Sequence, residues 1–197
     1  MMALSRWGII HLGVLAPLLI GCGSEDPQAA TSSGSDSGSS ASTGPIFINE
    51  LVASNVRGIK DSEGGTGDWI ELYNAGQEDV DLGGYSVSDN ETSPRKGVLE
   101  PGVVVPAGGV LLLWADSDVY QTDVSQGIIH LPFNLAKEGE GVYLFDPNGE
   151  LLDGISYVGL PADTALARFP DGTGAFVRCS VPSPEHLNGD ACPGTSP

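Results

Sequence analysis

The sequence predicts an all-β protein built as a β-sandwich, on three observations. Gly (28) and Pro (14) fill 42 of 197 positions, about 21 %, and these residues break helices and make turns. Apolar residues downstream of Pro45 recur with a period of two, which is the spacing of strands. Turn signals interrupt them about every 10 residues, the rhythm of sandwiches and barrels. Downstream of Gly44 the longest run free of Gly and Pro is the 17 residues 110–126, which excludes a helical bundle or coiled coil there.

Taken in order, Ile46, Ile48 and then Leu51 place apolar side chains close together at the start. Ile70 and Leu72 alternate with Trp69, Glu71 and Tyr73, and Val80 and Leu82 alternate with Asp79 and Asp81, the pattern of half-buried strands. Val110 to Trp114 (VLLLW) is a continuous apolar run suited to a central strand. Residues 142–145 and 150–157 flank Asp146-Pro147-Asn148-Gly149, a strong hairpin signal. Gly83-Gly84, Pro106-Ala107-Gly108-Gly109 and Pro170-Asp171-Gly172 mark further turns. About 148 residues separate Pro45 from Cys192, enough for one domain to bury near 70 % of its unfolded surface.

The N-terminus reads as a secretion signal. Arg6 supplies the positive start, and residues 7–20 (WGIIHLGVLAPLLI) are mostly apolar. At about 14 residues, the run is shorter than the roughly 20 a spanning helix needs. It ends in Leu19-Ile20-Gly21-Cys22, which resembles the lipobox of bacterial lipoproteins. That resemblance implies that residues 1–21 are removed and that Cys22 is lipidated as the first mature residue. The alternative is an ordinary secretory signal with an incidental cysteine. Two or three acyl chains anchor a protein firmly, at about 0.8 kcal/mol per buried CH₂. Gly23 follows the cysteine where Asp does not, which in such lipoproteins implies passage to the outer membrane. Residues 23–44 hold eight serines and no large apolar side chain, so they read as a flexible leash spanning roughly 25 Å.

Charge and cysteines narrow the function further. Eight Lys+Arg against 26 Asp+Glu give a net charge of −18, which repels phosphate backbones and disfavours nucleic acid as a partner. With Cys22 acylated, Cys179 and Cys192 form an even pair outside the cytosol and are expected to be bridged, with two free thiols as the alternative. Closing that loop of about 14 residues would stabilise the fold by roughly 3 kcal/mol in the chain-entropy picture. The expected organisation is therefore a leader over 1–21, a lipidated Cys22 and spacer over 22–44, the sandwich over 45–178 and a stapled tail over 179–197.

Several segments together resemble the lamin tail domain, an immunoglobulin-like β-sandwich. They are Ile48-Asn49-Glu50-Leu51, Ala53-Ser54-Asn55, Asp68-Trp69-Ile70-Glu71-Leu72-Tyr73-Asn74, Val80-Asp81-Leu82-Gly83-Gly84-Tyr85 and Val87-Ser88-Asp89. They continue through Val105-Pro106-Ala107-Gly108-Gly109, His130-Leu131-Pro132-Phe133-Asn134-Leu135 and Ala167-Arg168-Phe169-Pro170-Asp171-Gly172. Pro182-Ser183-Pro184 followed by Asn188 is similar to the usual end of the domain. The resemblance implies an immunoglobulin-like fold. Because fold does not fix function, the nuclear role of lamins, which depends on a rod absent here, is not carried over.

No catalytic constellation is legible. Beyond the leader the chain has only His130 and His186, and it lacks G-x-S-x-G, H-E-x-x-H, C-x-x-C and a phosphate-binding loop. His130 lies in the motif-like HLPFNL segment and reads as structural, and His186 as solvated. Glu50 and Glu71 lie within strand-like segments. If they point inward, burial requires hydrogen-bonding partners, for which Arg168 or backbone amides could serve. Asp61, Glu63 and Asp68, in the glycine-rich stretch 61–68, are the candidate calcium ligands, although a solvated hairpin loop is the simpler reading of them. Asp116, Asp118 and Asp123 form a weaker cluster, and Asp146, Asn148 and Asp153 read as turn geometry.

The expected function is thus a non-catalytic, lipid-anchored envelope protein whose sandwich presents loops to an unidentified protein or glycan. A calcium-dependent adhesion module is the first alternative. A small surface hydrolase is the second, since 23 acids downstream of Pro45 leave room for carboxylates about 5–9.5 Å apart.

Overall fold

The computed structural model describes residues 46–189. The leader, Cys22, the spacer and Cys192 lie outside the described residues.

The strands are β1 (Ile46–Val52), β2 (Asp68–Asn74), β3 (Val80–Asp81), β4 (Ser86–Ser88), β5 (Gly97–Val98) and β6 (Val104–Val105). They continue with β7 (Val110–Ala115), β8 (His130–Leu131), β9 (Gly141–Phe145), β10 (Leu151–Ser156), β11 (Ala165–Phe169) and β12 (Ala175–Cys179). Two short 3₁₀ turns, Val119–Gln121 and Val124–Gln126, lie between β7 and β8. A six-stranded sheet has the order β12-β11-β1-β2-β7-β8, a four-stranded sheet has the order β10-β9-β4-β5, and β3 pairs with β6.

The two large sheets close on one apolar core. Ile48, Leu51, Ile70, Leu72 and Leu113 of the larger sheet pack with Val87, Val142 and Leu144 of the smaller, removing apolar surface from water. The hairpin read at Asp146 to Gly149 is present. The β9 and β10 strands pair antiparallel, and the Asp146 carboxylate accepts from the amides of Asn148 and Glu150 at 2.9 and 2.7 Å. Those turn amides, Glu150 first, hold its carboxyl below the usual range.

The uneven spacing of Ile46, Ile48 and Leu51 has a structural cause. The β1/β2 register shifts between Ile48 and Glu50, so Asn49 is the extra residue of a bulge and the inward phase resumes at Leu51. A second irregularity lies between Leu151 and Asp153 of β10.

The alternation in β2 does not produce a half-buried strand. Trp69 and Glu71, on the face away from the main core, are 1 % and 0 % exposed. That outer face carries a second cluster of Val52, Trp69, Leu112, Trp114, Ala165, Ala167 and Cys179. Periodicity marks which side chains share a face, but not whether another segment covers that face.

Candidate functional site

The densest polar arrangement lies on this outer face. Glu50 and Glu71 are directly opposite one another on β1 and β2, with neighbours Ala167 on β11 and Leu112 on β7. Both glutamates are fully buried. The bulge at Asn49 gives Glu50 this orientation, since it places Glu50 rather than its neighbour across from Glu71.

The cover is the strap over residues 180–189. Ser183 N donates to both oxygens of Glu50 at 3.1 Å. Its hydroxyl lies 3.1 Å from Glu50 Oε2 and 3.0 Å from Asn188 Oδ1. Glu185 N donates to Glu71 Oε2 at 2.6 Å. Glu185 sits at φ 64°, a left-handed conformation costing a non-glycine residue about 1–2 kcal/mol, against which the hydrogen bond to Glu71 works. Glu71 Oε1 has no hydrogen-bond partner among the described residues.

The strap end is sealed by amides. Asn188 Nδ2 donates to Asn49 O at 3.2 Å and Arg168 O at 2.8 Å, while Asn188 N donates to Asp171 Oδ1 at 2.9 Å. Asn49 bridges the other way, donating to Asp171 and accepting from Gly172 N. Gly172 has φ 73° and no room for a Cβ, which would fall 2.7 Å from the Tyr73 ring.

Burial dominates the electrostatics of the pair. It pushes the Glu50 carboxyl up to about 7, with the Ser183 bonds pulling back. Glu71 is pushed up to about 9 by burial and then by the charge of Glu50. At neutral pH Glu71 therefore keeps its proton, while Glu50 stands near its midpoint.

Arg168 does not pair with either glutamate. Its guanidinium binds Asp153 of β10 at 2.7 and 2.8 Å, with Nε donating to Ile48 O. Asp153 in turn accepts from Ile48 N at 2.9 Å. This corrects the reading of Asp153 as turn geometry. The irregularity in β10 brings its carboxylate to β1, where an ion pair links the two sheets.

His130 is buried in the fold. Its Nδ1 lies 3.0 Å from both oxygens of Asp116, its ring stacks on Trp114, and it is 4 % exposed. His186 is exposed, with Nδ1 3.0 Å from Pro184 O.

Asp61, Glu63 and Asp68 are not brought together. Asp61 Oδ1 accepts from Glu63 N and Gly65 N, closing its own loop, while Asp68 Oδ1 accepts from Asn55 N at 3.0 Å. Glu63 is exposed. Asp68 is raised by burial, with like charge from Asp116 and Glu140. Among the described residues no group of three or more His, Cys, Asp or Glu is placed to hold a metal ion. In the weaker cluster Asp123 accepts from Ser125 N and Asp118 from Gln121 Nε2, each within its own turn, while Asp116 is taken by His130. Cys179 is buried and disulfide-bonded.

The model of the lamin tail domain family matches residues 39–159, which is more than half of the 197. The chain belongs to the lamin tail domain family. No curated protein matches it. Lamin tail domains are immunoglobulin-like sandwiches of non-enzymatic type. In this lamin tail domain the sheet continues past the matched stretch, since β11 pairs with β1 and β12 with β11. The motif acids Glu50 and Glu71 meet their partners later still, at Ser183 and Glu185. Of the partners offered by the sequence reading, backbone amides serve and Arg168 does not; which amides they are was missed, and the one signal for them was the Pro182-Ser183-Pro184 segment with Asn188.

Proposed function

We propose that the protein is a lipid-anchored cell-envelope module that works by binding a protein or glycan, with its lamin tail domain held off the outer membrane by residues 23–44. The observation that carries the reading is how the buried acids are used. Glu50 and Glu71 hold the strap, Asp116 holds His130, and Asp153 holds Arg168 and the β1 bulge. These groups support a scaffold. The side chains offered to a partner are at the loops, among them Tyr120 at 76 % exposure and Val158 at 76 %. The anchor rests on Leu19-Ile20-Gly21-Cys22, and Cys192 is the disulfide partner assigned to Cys179.

The test is metabolic labelling with palmitate in the native host. Incorporation that disappears in Cys22→Ala, with that variant moving from the membrane to the soluble fraction, supports the anchor. Unchanged membrane association of unlabelled protein contradicts it. For the binding role, capture of an envelope protein or glycan by the domain, lost when Tyr120 becomes Ala, supports the reading. Hydrolysis that survives repurification and vanishes on replacing one carboxylate would overturn it.

A further inference from the structure

The Glu50 and Glu71 pair has more negative capacity than donors. Four carboxylate oxygens face one another across β1 and β2, and the strap supplies Ser183 N, Ser183 Oγ and Glu185 N. The fourth oxygen, Glu71 Oε1, is buried without a hydrogen-bond partner among the described residues, and the one further side chain that favours the Glu71 anion is Asn49, whose amide already donates to Asp171. A bare anionic oxygen in that position would be costly, whereas a protonated carboxyl is tolerable.

Among the described residues no cation balances the pair from any packed element. Asp171, on the β11/β12 turn, adds negative charge to both glutamates. The side chains opposite on β7 and β11 are Leu112 and Ala167. Arg168 is committed to Asp153 and Ile48, and Cys179 on β12 does not titrate. On the strap, Glu185 and His186 are exposed.

The strap is also a wall. With Ser180, Val181, Pro182 and Pro184 it borders a groove of about 480 Å³ whose floor includes Val52 and Trp69. Both floor residues are 1 % exposed, so lifting the strap would bring water to Trp69.

We propose that Glu50 and Glu71 form a proton-operated latch: the strap lies closed over the sheet while the pair retains a proton, and lifts from it when both carboxyls ionise, opening the groove at Trp69. Two adjacent buried anions repel each other and Asp171, and relief requires water, which enters only by displacing Ser183 and Glu185. The raised pKa values of both carboxyls place this change between neutral and moderately alkaline pH. The latch stands on the strap geometry and does not depend on the anchor or on a binding partner.

Hydrogen exchange of the full chain in detergent tests it, at pH 6 and pH 9.5, corrected for intrinsic exchange. Peptides covering 180–188 are expected to exchange at least tenfold faster at pH 9.5, with β2 and β7 peptides unchanged and Trp69 emission shifted to the red. Glu71→Gln, which keeps a neutral side chain there, should hold the strap protected at both pH values. Should that variant not fold, Glu50→Gln serves in its place, and the wild-type comparison decides alone. Equal strap protection at the two pH values overturns the latch, as does loss of β2 protection together with the strap, or a pH dependence unchanged in the folded glutamine variant.

Discussion

Asp153 and Arg168 together stand in for a strand at the bulge of β1. Asp153 accepts from Ile48 N and Arg168 donates to Ile48 O, while the two side chains are joined by contacts of 2.7 and 2.8 Å. The β1/β11 ladder includes Glu50 and Leu51, and just before it the ion pair presents the acceptor and donor that a strand's backbone would. Because Asp153 belongs to the four-stranded sheet and Arg168 to the six-stranded one, the same pair fastens the layers. The Arg168 guanidinium also lies 4.3 Å from the Phe176 ring centroid, which favours a cation there.

Removing one partner therefore strands the other. Asp153→Ala is expected to cost about 3 kcal/mol, because it leaves the arginine and the Ile48 amide without their acceptor. The double variant Asp153→Ala/Arg168→Ala should cost clearly less than the sum of the singles, by 0.5 kcal/mol or more. Urea unfolding midpoints of the four proteins check this, and strict additivity would contradict the shared role.

Stability should fall as pH rises. Glu50 and Glu71 have folded-state pKa values raised from 4.5 to about 7 and about 9, so between 4.5 and those values the folded state holds more protons than the unfolded one. Their contribution is fully present below about 4.5 and is lost as pH climbs through about 7 for Glu50 and about 9 for Glu71. Thermal melts should give a higher Tm at pH 5 than at pH 9, with Glu71→Gln flattening the slope. The depressed Asp146 and Asp163 act in the opposite sense, and only at acid pH, below their ordinary value of 3.8.

The strap end depends on one amide. Asn188→Ala removes the donor to Asn49 O and Arg168 O, two carbonyls in a closed environment, at a cost of about 1–3 kcal/mol. Asn188→Asp should be no better, since it offers those carbonyls no N–H and sets a carboxylate near Asp171. Chemical denaturation of both variants measures the loss, and a change below 0.5 kcal/mol for Asn188→Ala would remove the strap end from the fold's essential contacts.

Calcium should leave the melting temperature of the domain unchanged relative to chelator, in wild type and in Asp68→Asn alike. Asp61 and Asp68 are spent on separate backbone amides, and a ligand held only by the native state would raise Tm by mass action. A calcium-dependent rise abolished by Asp68→Asn would restore the adhesion reading.

The strands were legible because their cause is local. Alternation placed β2 and β3, the turn residues at Asp146 to Gly149 placed the β9/β10 hairpin, and even the bulge left a trace in the skip from Ile48 to Leu51. The partners of Glu50 and Glu71 were not legible, because Ser183 lies 133 residues from Glu50 and Glu185 lies 114 from Glu71. Nothing near either glutamate encodes its cover. Arg168 was a reasonable partner by charge, and it was claimed instead by Asp153, a residue aimed inward through an irregularity in β10 that the local sequence does not announce.

Direct carboxyl titration by ¹³C NMR asks most plainly whether a buried acid pair underlies the strap. Two glutamate side-chain carboxyl resonances should titrate far above the rest, with midpoints near 7 and 9, and both should return toward ordinary values when residues 181–197 are removed. If every glutamate titrates in the common range near 4.5, the pair is open to water and the strap does not seal it.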